Sequence, residues 1–191
     1  MIIQSAEFVK SVLGTNEILY SEYPQIAFIG RSNVGKSSVI NSLVERKGLV
    51  KSGSTPGKTQ QINYFLINKN TYFIDLPGYG FMKISLKQKE KIRKMIIWYL
   101  FKSSIIFKKV VLIIDAKVGP SAFDIEMLGL LRKRENDFVI VANKSDKLKQ
   151  KEVKKQLEMI KKKTGEQNII LYSAKTNKGR EELLEQLALS S

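Results

Sequence analysis

The segment Gly30–Ser38, with the sequence GRSNVGKSS, most strongly limits what this chain can fold into. It matches the pattern G-x-x-x-x-G-K-[ST] and lies between an apolar run, Gln25–Ile29, and a segment, Lys36–Glu45, whose apolar residues recur every three or four positions. A chance glycine-rich turn is the alternative, but four fixed positions match in a chain of this size roughly one time in a hundred. We therefore expect a strand, a loop and a helix whose backbone N–H groups face a bound anion.

The residue types in this loop suit the binding of nucleotide phosphates. Glycines allow the backbone to wrap closely around phosphate oxygens, Lys36 reaches the β- and γ-phosphates, and Ser37 offers its hydroxyl to Mg²⁺. The residues expected to bind nucleotide here are Gly30, Arg31, Ser32, Asn33, Val34, Gly35, Lys36, Ser37 and Ser38.

The apolar residues alternate along the chain between strand-like and helix-like periods, which favours an α/β fold. Six strands are predicted, at Gln25–Ile29, Gln61–Asn68, Thr71–Asp75, Val110–Asp115, Phe138–Ala142 and Asn168–Tyr172. Five helices are predicted, at Lys36–Glu45, Leu86–Phe101, Ala122–Arg134, Lys149–Thr164 and Gly179–Leu189. The second and third strands are typical of a hairpin, because Lys69 and Asn70 between them suit a turn. We expect a mostly parallel six-stranded sheet with one antiparallel edge strand, flanked by about five helices.

The length of 191 residues, 43% of them hydrophobic, indicates one domain. Residues 25–191 are expected to form the nucleotide-binding core, and residues 6–24 an N-terminal extension. Within that extension Ala6–Leu13 fits either an added strand or a short helix, and we favour the strand.

The sequence Asp75-Leu76-Pro77-Gly78 ends the third predicted strand. A carboxylate there can hold Mg²⁺ through water, and a glycine N–H can meet a γ-phosphate. In isolation these four residues would be an ordinary turn. With a phosphate loop upstream, they become candidate nucleotide-binding residues.

Two later segments indicate that the base is guanine. Asn143-Lys144-Ser145-Asp146 follows a buried strand, and the Asp146 carboxylate can accept from the guanine N1–H and 2-amino group, which adenine lacks at that edge. A solvated Asn/Asp loop is the alternative reading. After the last strand, the backbone of Ser173-Ala174-Lys175 could meet the guanine 6-oxo group. The order of these segments, each at the carboxyl end of a predicted strand, is more specific than any one of them.

The sequence resembles the EngB family of GTPases in three segments, GRSNVGKSS, TPGKTQQIN at Thr55–Asn63 and DLPGYGF at Asp75–Phe81. The likeness runs from about Ala6 to the C-terminus. It implies a single P-loop GTPase domain that binds GTP or GDP with Mg²⁺ and hydrolyses GTP. It also implies a cytoplasmic, nucleotide-dependent switch in assembly of the large ribosomal subunit or its precursor, with ribosomal RNA as a partner and a link to cell division and septation.

The resemblance also assigns roles by position. Thr59 matches the family's switch threonine, with Gly57 and Lys58 beside it, and Thr55 is a less favoured substitute. The implied catalytic residues are Lys36, Thr59 and Gly78, and the implied Mg²⁺ ligands are Ser37, Thr59 and Asp75.

Two positions bear on the hydrolysis rate. Tyr79 stands after Gly78, where many GTPases carry a water-positioning glutamine, so we expect slow intrinsic hydrolysis. Asn33 resembles the asparagine that helps related enzymes bind K⁺, which could neutralise charge between the β- and γ-phosphates. Ordinary loop chemistry explains Asn33 equally well. The sequence departs from the family pattern after Asp115, where the expected basic residue is missing, and Lys117 is a possible substitute.

The composition narrows the chemistry and the partners. The chain has no cysteine and no histidine, which excludes disulfides, cysteine nucleophiles and the usual zinc ligands. Its formal net charge is +15, and two segments, 83–109 and 132–163, contain 9 and 12 basic residues against 1 and 5 acidic ones. Lys87, Lys91 and Lys94 are expected to be available for phosphate contacts, while the interleaved aromatic residues are expected mostly in the core.

Three functions are compatible with this charge. The first is the GTP-dependent ribosomal switch, expected to be a monomer. The second is a constitutive basic RNA-binding module with a structural guanine nucleotide. The third is a membrane-surface GTPase that uses Leu86–Phe101, although we expect no membrane span or membrane partner.

Overall fold

A single twisted sheet forms the centre of the computed structural model, which describes residues 2–50, 61–80, 84–103, 105 and 107–187. Within these ranges its seven strands are β1 (Ala6–Val12), β2 (Gln25–Gly30), β3 (Ile62–Ile67), β4 (Thr71–Asp75), β5 (Phe107–Asp115), β6 (Phe138–Asn143) and β7 (Ile169–Leu171). Their order across the sheet is β1-β3-β4-β2-β5-β6-β7. Among these strands only β3 runs opposite to the others, so the sheet is mostly parallel, as the sequence predicts.

The first strand adds one strand to the six predicted and changes what lies at the edge. β1 pairs antiparallel with β3 from Ala6 opposite Ile67 to Val12 opposite Ile62, with an irregularity between Phe8 and Lys10. The antiparallel strand β3 is therefore second from the edge, and β1 covers it. The preferred reading of the opening segment as a strand agrees with this pairing.

Five α-helices flank the sheet within the described residues: α1 (Lys36–Leu43), α2 (Leu86–Ile97), α3 (Ala122–Lys133), α4 (Gln150–Thr164) and α5 (Arg180–Leu187). Serine side chains cap α2 and α3 at Ser85 and Ser121, each in a capping box. The predicted helix Leu86–Phe101 is α-helical only to Ile97, and Trp98–Lys102 continues as one turn of π-helix. Short 3₁₀ turns lie at Glu17–Tyr20 and Ser145–Lys147.

The core consists of two hydrophobic layers, one on each face of the sheet. Along β2, Ile26 and Phe28 face one layer, and Ala27 and Ile29 face the other. Buried residues of α1 and α5 pack in the first layer, and those of α2, α3 and α4 pack in the second. With both faces covered, the loops at the carboxyl ends of the parallel strands become the natural place for a ligand. Among the described helices, none is long and apolar enough to cross a membrane.

Candidate nucleotide-binding site

The phosphate loop connects β2 to α1, and close packing explains its two glycines. Gly30 ends β2, where an added Cβ would lie 2.6 Å from the carbonyl oxygen of Ile113 on the neighbouring strand. Gly35 precedes α1 with a φ of 92°, a left-handed conformation that favours glycine. The first N–H groups of α1 thus begin at the end of the loop, as phosphate binding requires.

Lys36 and Asp75 form an ion pair between the phosphate loop and the end of β4. Both residues are buried, at 9% and 6% exposure. The parallel pairing of β2 with β4 places Phe28 opposite Asp75, which brings the two loops together. The predicted phosphate-binding lysine and the predicted Mg²⁺-binding aspartate are therefore direct neighbours.

The segment after Asp75 lies against the phosphate loop. The backbone N–H and the hydroxyl of Ser32 donate to the carbonyl of Tyr79, at 2.6 and 3.0 Å. Gly78 is so close to Ser32 that an added Cβ would lie 3.1 Å from its Oγ. Leu76 and Pro77 are buried between these contacts. A phosphate held by the loop would thus lie beside Gly78.

Asn143 joins the predicted guanine loop to the phosphate loop. Its side-chain Nδ2 donates to the carbonyl of Val34 at 2.8 Å, and its Oδ1 accepts from the N–H of Ala174 at 3.2 Å. The side chain is buried at 2% exposure. One amide therefore connects three segments, because Val34 lies 109 residues before Asn143 and Ala174 lies 31 residues after it.

Asp146 is exposed and stands where a base could reach it. The buried hydroxyl of Ser173 donates to its Oδ1 at 2.7 Å, which fixes the carboxylate from the side of the last loop. Lys175 of the same loop is exposed. The Asp146 carboxylate can therefore accept charge-assisted hydrogen bonds from the edge of a purine base.

Lys144 has a role that the sequence did not reveal. Its Nζ donates to the carbonyl of Asn33 at 2.5 Å and to Oδ2 of Asp115 at 2.8 Å. Burial raises the pKa of Asp115, but hydrogen bonds from Lys144 and from the N–H groups of Val118 and Lys117 outweigh it and hold that pKa below its usual value. Lys144 thus supplies the cation beside Asp115, and Lys117 contributes only its backbone. The pairing of Asp115 with Asn143 across β5 and β6 places Lys144 beside Asp115, and no local sequence pattern specified it.

Four predicted switch residues, Thr55, Gly57, Lys58 and Thr59, lie outside the described residues. The structure brings the other predicted site residues together at the carboxyl edge of the sheet, with Ser37 and Ser38 in the first turn of α1.

Comparison with known proteins relates this geometry to a family. Residues 25–144 match a family described as 50S ribosome-binding GTPase. The chain is 45% identical to a probable GTP-binding protein EngB of Chlorobaculum parvum over 192 residues, covering 100% of both proteins. It is 41% identical to a probable GTP-binding protein EngB of Clostridium perfringens over 190 residues, covering 98% of this chain and 96% of the relative. The chain belongs to the EngB family of GTPases.

Solved structures agree with this membership of the EngB family. A crystal structure of a probable GTP-binding protein EngB has a TM-score of 0.73 and 29% identity, covering 85% of this chain and 96% of that one. Era in complex with MgGDPNP and part of 16S ribosomal RNA has a TM-score of 0.63 and 24% identity, covering 86% and 55%, and shows a shared fold. This EngB protein is accordingly an enzyme that binds guanine nucleotide and hydrolyses GTP.

Proposed function

We propose that this EngB GTPase is a nucleotide-dependent switch in assembly of the large ribosomal subunit, binding its precursor with GTP and leaving after hydrolysis. The observation that carries the proposal is the position of a basic helix, α2, directly after the Gly78 segment of the nucleotide site. A change at Gly78 would move the start of that helix. The description of the matched family as ribosome-binding supports the same partner.

The α2 helix has one face suited to the core and another suited to a polyanion. Ile92 and Ile96 are buried, whereas Lys87, Lys91 and Lys94 are exposed. The side chain of Lys94 is 75% exposed and lies 3.9 Å from Glu90, a separation that adds little stability at a surface. These three lysines, which we call the α2 lysines, would contact phosphates of ribosomal RNA.

The residues for the chemical step follow from the site. Lys36, Gly78 and Thr59 would stabilise charge on the β- and γ-phosphates. Mg²⁺ would be held by Ser37, Asp75 and Thr59, whose hydroxyl and carboxylate oxygens are ligands that it prefers, and would neutralise charge on the phosphate oxygens. Phosphate and water oxygens would complete its coordination. Asn33 would bind K⁺, and intrinsic hydrolysis would be slow.

A second candidate function, the constitutive RNA-binding module, is favoured by exposed lysines on α4, a helix separate from the Gly78 segment. Lys151, Lys155 and Lys162, which we call the α4 lysines, are exposed on that helix. Binding through them would not depend on the nucleotide if α4 keeps one position with GDP and with GTP.

Gradient co-sedimentation with ribosomal subunits tests both functions. Parallel samples contain GDP or a non-hydrolysable GTP analogue at two salt concentrations, with anionic liposomes as a separate arm. Binding to the large subunit with the GTP analogue alone supports the switch. Equal, salt-sensitive binding with both nucleotides supports the constitutive module, and flotation with anionic lipid supports the membrane-surface GTPase. Cytoplasmic location, a monomeric state and the link to cell division and septation stay predictions.

A further inference from the structure

We propose that Asp124 on α3 is a positioning residue for the GTPase site, acting through a buried hydrogen bond with Tyr79 that holds Gly78 in place. We call this bond the Tyr79–Asp124 latch. The effect of this latch on nucleotide binding rests on the proposed function in one respect, namely that Gly78 responds to the γ-phosphate.

The side chains of Tyr79 and Asp124 are buried and hydrogen-bonded to each other. Tyr79 is 5% exposed and Asp124 is 1% exposed, and the phenol donates to Oδ1 of the carboxylate. The other oxygen of Asp124 accepts from the N–H and hydroxyl of Ser121, at 2.6 and 2.7 Å, at the start of α3. A buried carboxylate with hydrogen bonds to both oxygens at a helix N-terminus is well stabilised, and a phenol that donates to it is held firmly. Burial and the nearby Asp124 charge raise the pKa of Tyr79, so the phenol keeps its proton.

The backbone of Tyr79 is fixed to the phosphate loop. Its carbonyl accepts from the N–H and hydroxyl of Ser32, and Arg31 and Tyr79 form an isolated parallel bridge. Tyr79 thus connects the phosphate loop, through its backbone, with α3, through its side chain. Gly78 precedes it directly and has little freedom while both connections hold.

The α2 helix packs against the same end of α3. The rings of Tyr79 and Phe123 pack edge to face with centroids 4.5 Å apart, and Arg93 of α2 lies over the Phe123 ring at 5.8 Å. Arg93 also forms an ion pair with Glu126. The start of α3 is therefore the common support for Tyr79 and for the helix that carries the α2 lysines.

The direction of the effect follows from Lys36. In the conformation in which the latch is formed, Lys36 pairs with Asp75, and GTP brings one phosphate more than GDP to compete for the lysine. Removing the latch should weaken this conformation relative to one in which Lys36 and Gly78 meet the γ-phosphate, and GTP should gain affinity relative to GDP. The Tyr79 hydroxyl, already committed to Asp124, would not position the attacking water.

The test compares the affinities of purified protein for fluorescent GDP and for a fluorescent non-hydrolysable GTP analogue. We expect Tyr79→Phe to raise the preference for the GTP analogue over GDP by about fivefold or more. The preference is a ratio within one variant, so a loss of folded protein cancels. In an Asp124→Asn background, the same change should alter the ratio by less than about twofold, because the charge-assisted bond is already gone. Tyr20→Phe, at a tyrosine that is 64% exposed, is the matched control and should leave the ratio unchanged.

Three results would overturn the proposal: an unchanged ratio in Tyr79→Phe, a ratio that moves toward GDP, or an equal effect of Tyr79→Phe with and without Asp124→Asn. The assay contains no ribosomes. A shifted ratio together with nucleotide-independent co-sedimentation would therefore retain the latch and reject the ribosomal switch, and the reverse combination would reject only the latch.

Discussion

A Cβ atom on Gly35 would lie 2.4 Å from Nδ2 of Asn143, so the phosphate loop and the guanine loop touch at a point where only glycine fits. Gly35→Ala should therefore displace the Asn143 amide, which also holds Val34 and Ala174. We expect affinity for GDP and for GTP to fall together by about tenfold or more, because neither loop could keep its position. Fluorescent-nucleotide titration measures both.

Gly14 provides the matched control for this substitution. Its φ of 96° is as unusual as that of Gly35, but a Cβ there would have no atom within 4 Å. Gly14→Ala should cost about 1 kcal/mol of unfolding free energy from backbone strain and leave nucleotide affinity intact. Equal loss of affinity in the two variants would contradict the role of the Asn143 contact.

Asp146 provides a test of base recognition. Asp146→Asn should lower affinity for guanine nucleotides by about a hundredfold and raise affinity for xanthine nucleotides, since an amide can donate to the 2-oxo group of xanthine. Competition titration of wild type and of Asp146→Asn, each with guanine and with xanthine nucleotides, measures these affinities. Glu158→Gln removes a charge from a carboxylate that is 63% exposed and should change neither affinity. If Asp146→Asn binds GDP as wild type does, the base assignment is wrong.

The α2 and α4 lysines can be compared at equal change of net charge. Replacing the three α2 lysines by glutamate should weaken binding to the large ribosomal subunit by about tenfold or more and reduce the salt slope, because phosphate contacts are lost. The same replacement of the three α4 lysines should have a smaller effect under the switch hypothesis. Gradient sedimentation across a salt series measures both, and equal losses would indicate that net charge alone governs binding.

Asn33 provides a test of potassium dependence. GTP hydrolysis by the wild type should be about tenfold or more faster in K⁺ than in Na⁺ at equal ionic strength, and Asn33→Gly should lose that difference. Glycine is the chosen replacement because Asn33 has a φ of 67°. Asn68, with a φ of 49° in the β3–β4 turn, is the control, and Asn68→Gly should keep the K⁺ response. Phosphate release is the readout, and equal rates in the two salts would reject the K⁺ site.

The buried pair of Tyr64 and Tyr99 gives the stability a dependence on alkaline pH. Burial raises the pKa of Tyr64 to about 12 and that of Tyr99 further. A raised folded-state pKa means that the stabilisation is complete below about pH 10 and is lost as the pH rises toward 12, by about 1.4 kcal/mol per pH unit for each group. Denaturant unfolding at several alkaline pH values should show a shallower pH dependence for Tyr64→Phe than for wild type. The exposed-site variant Tyr20→Phe should follow the wild type, and a Tyr64→Phe slope equal to both would contradict the interpretation.

The sequence predicted the elements whose ends carry distinct turn chemistry. β4 has the predicted bounds Thr71–Asp75, because Lys69 and Asn70 precede it and Pro77 follows it closely. The predicted C-terminal end of α2 was wrong, because the residues from Met95 to Phe101 are apolar on nearly every side. The period of apolar residues cannot reveal the extra residue of a π turn. The local pattern could not predict the pairing partner of β1 either, because β1 pairs with residues fifty or more positions away.

The candidate site divides in the same way. The loops that follow parallel strands meet at one edge of the sheet, so their proximity follows from the strand order. The bonds from Tyr79 to Asp124 and from Lys144 to Asp115 join residues 45 and 29 positions apart. The first depends on how α3 packs above the sheet, and the second depends on the pairing of Asp115 with Asn143 at neighbouring strand ends. No short motif records either arrangement.

The π turn at the end of α2 begins with Trp98, the one tryptophan in the chain. Its ring is half-buried and lies 6.3 Å from that of Tyr99, which in turn is hydrogen-bonded to Tyr64 of β3. Indole emission responds to the polarity of its surroundings, so the unmodified protein carries its own optical reporter. A stopped-flow record of that emission after nucleotide mixing would time the motion of α2 without any attached label.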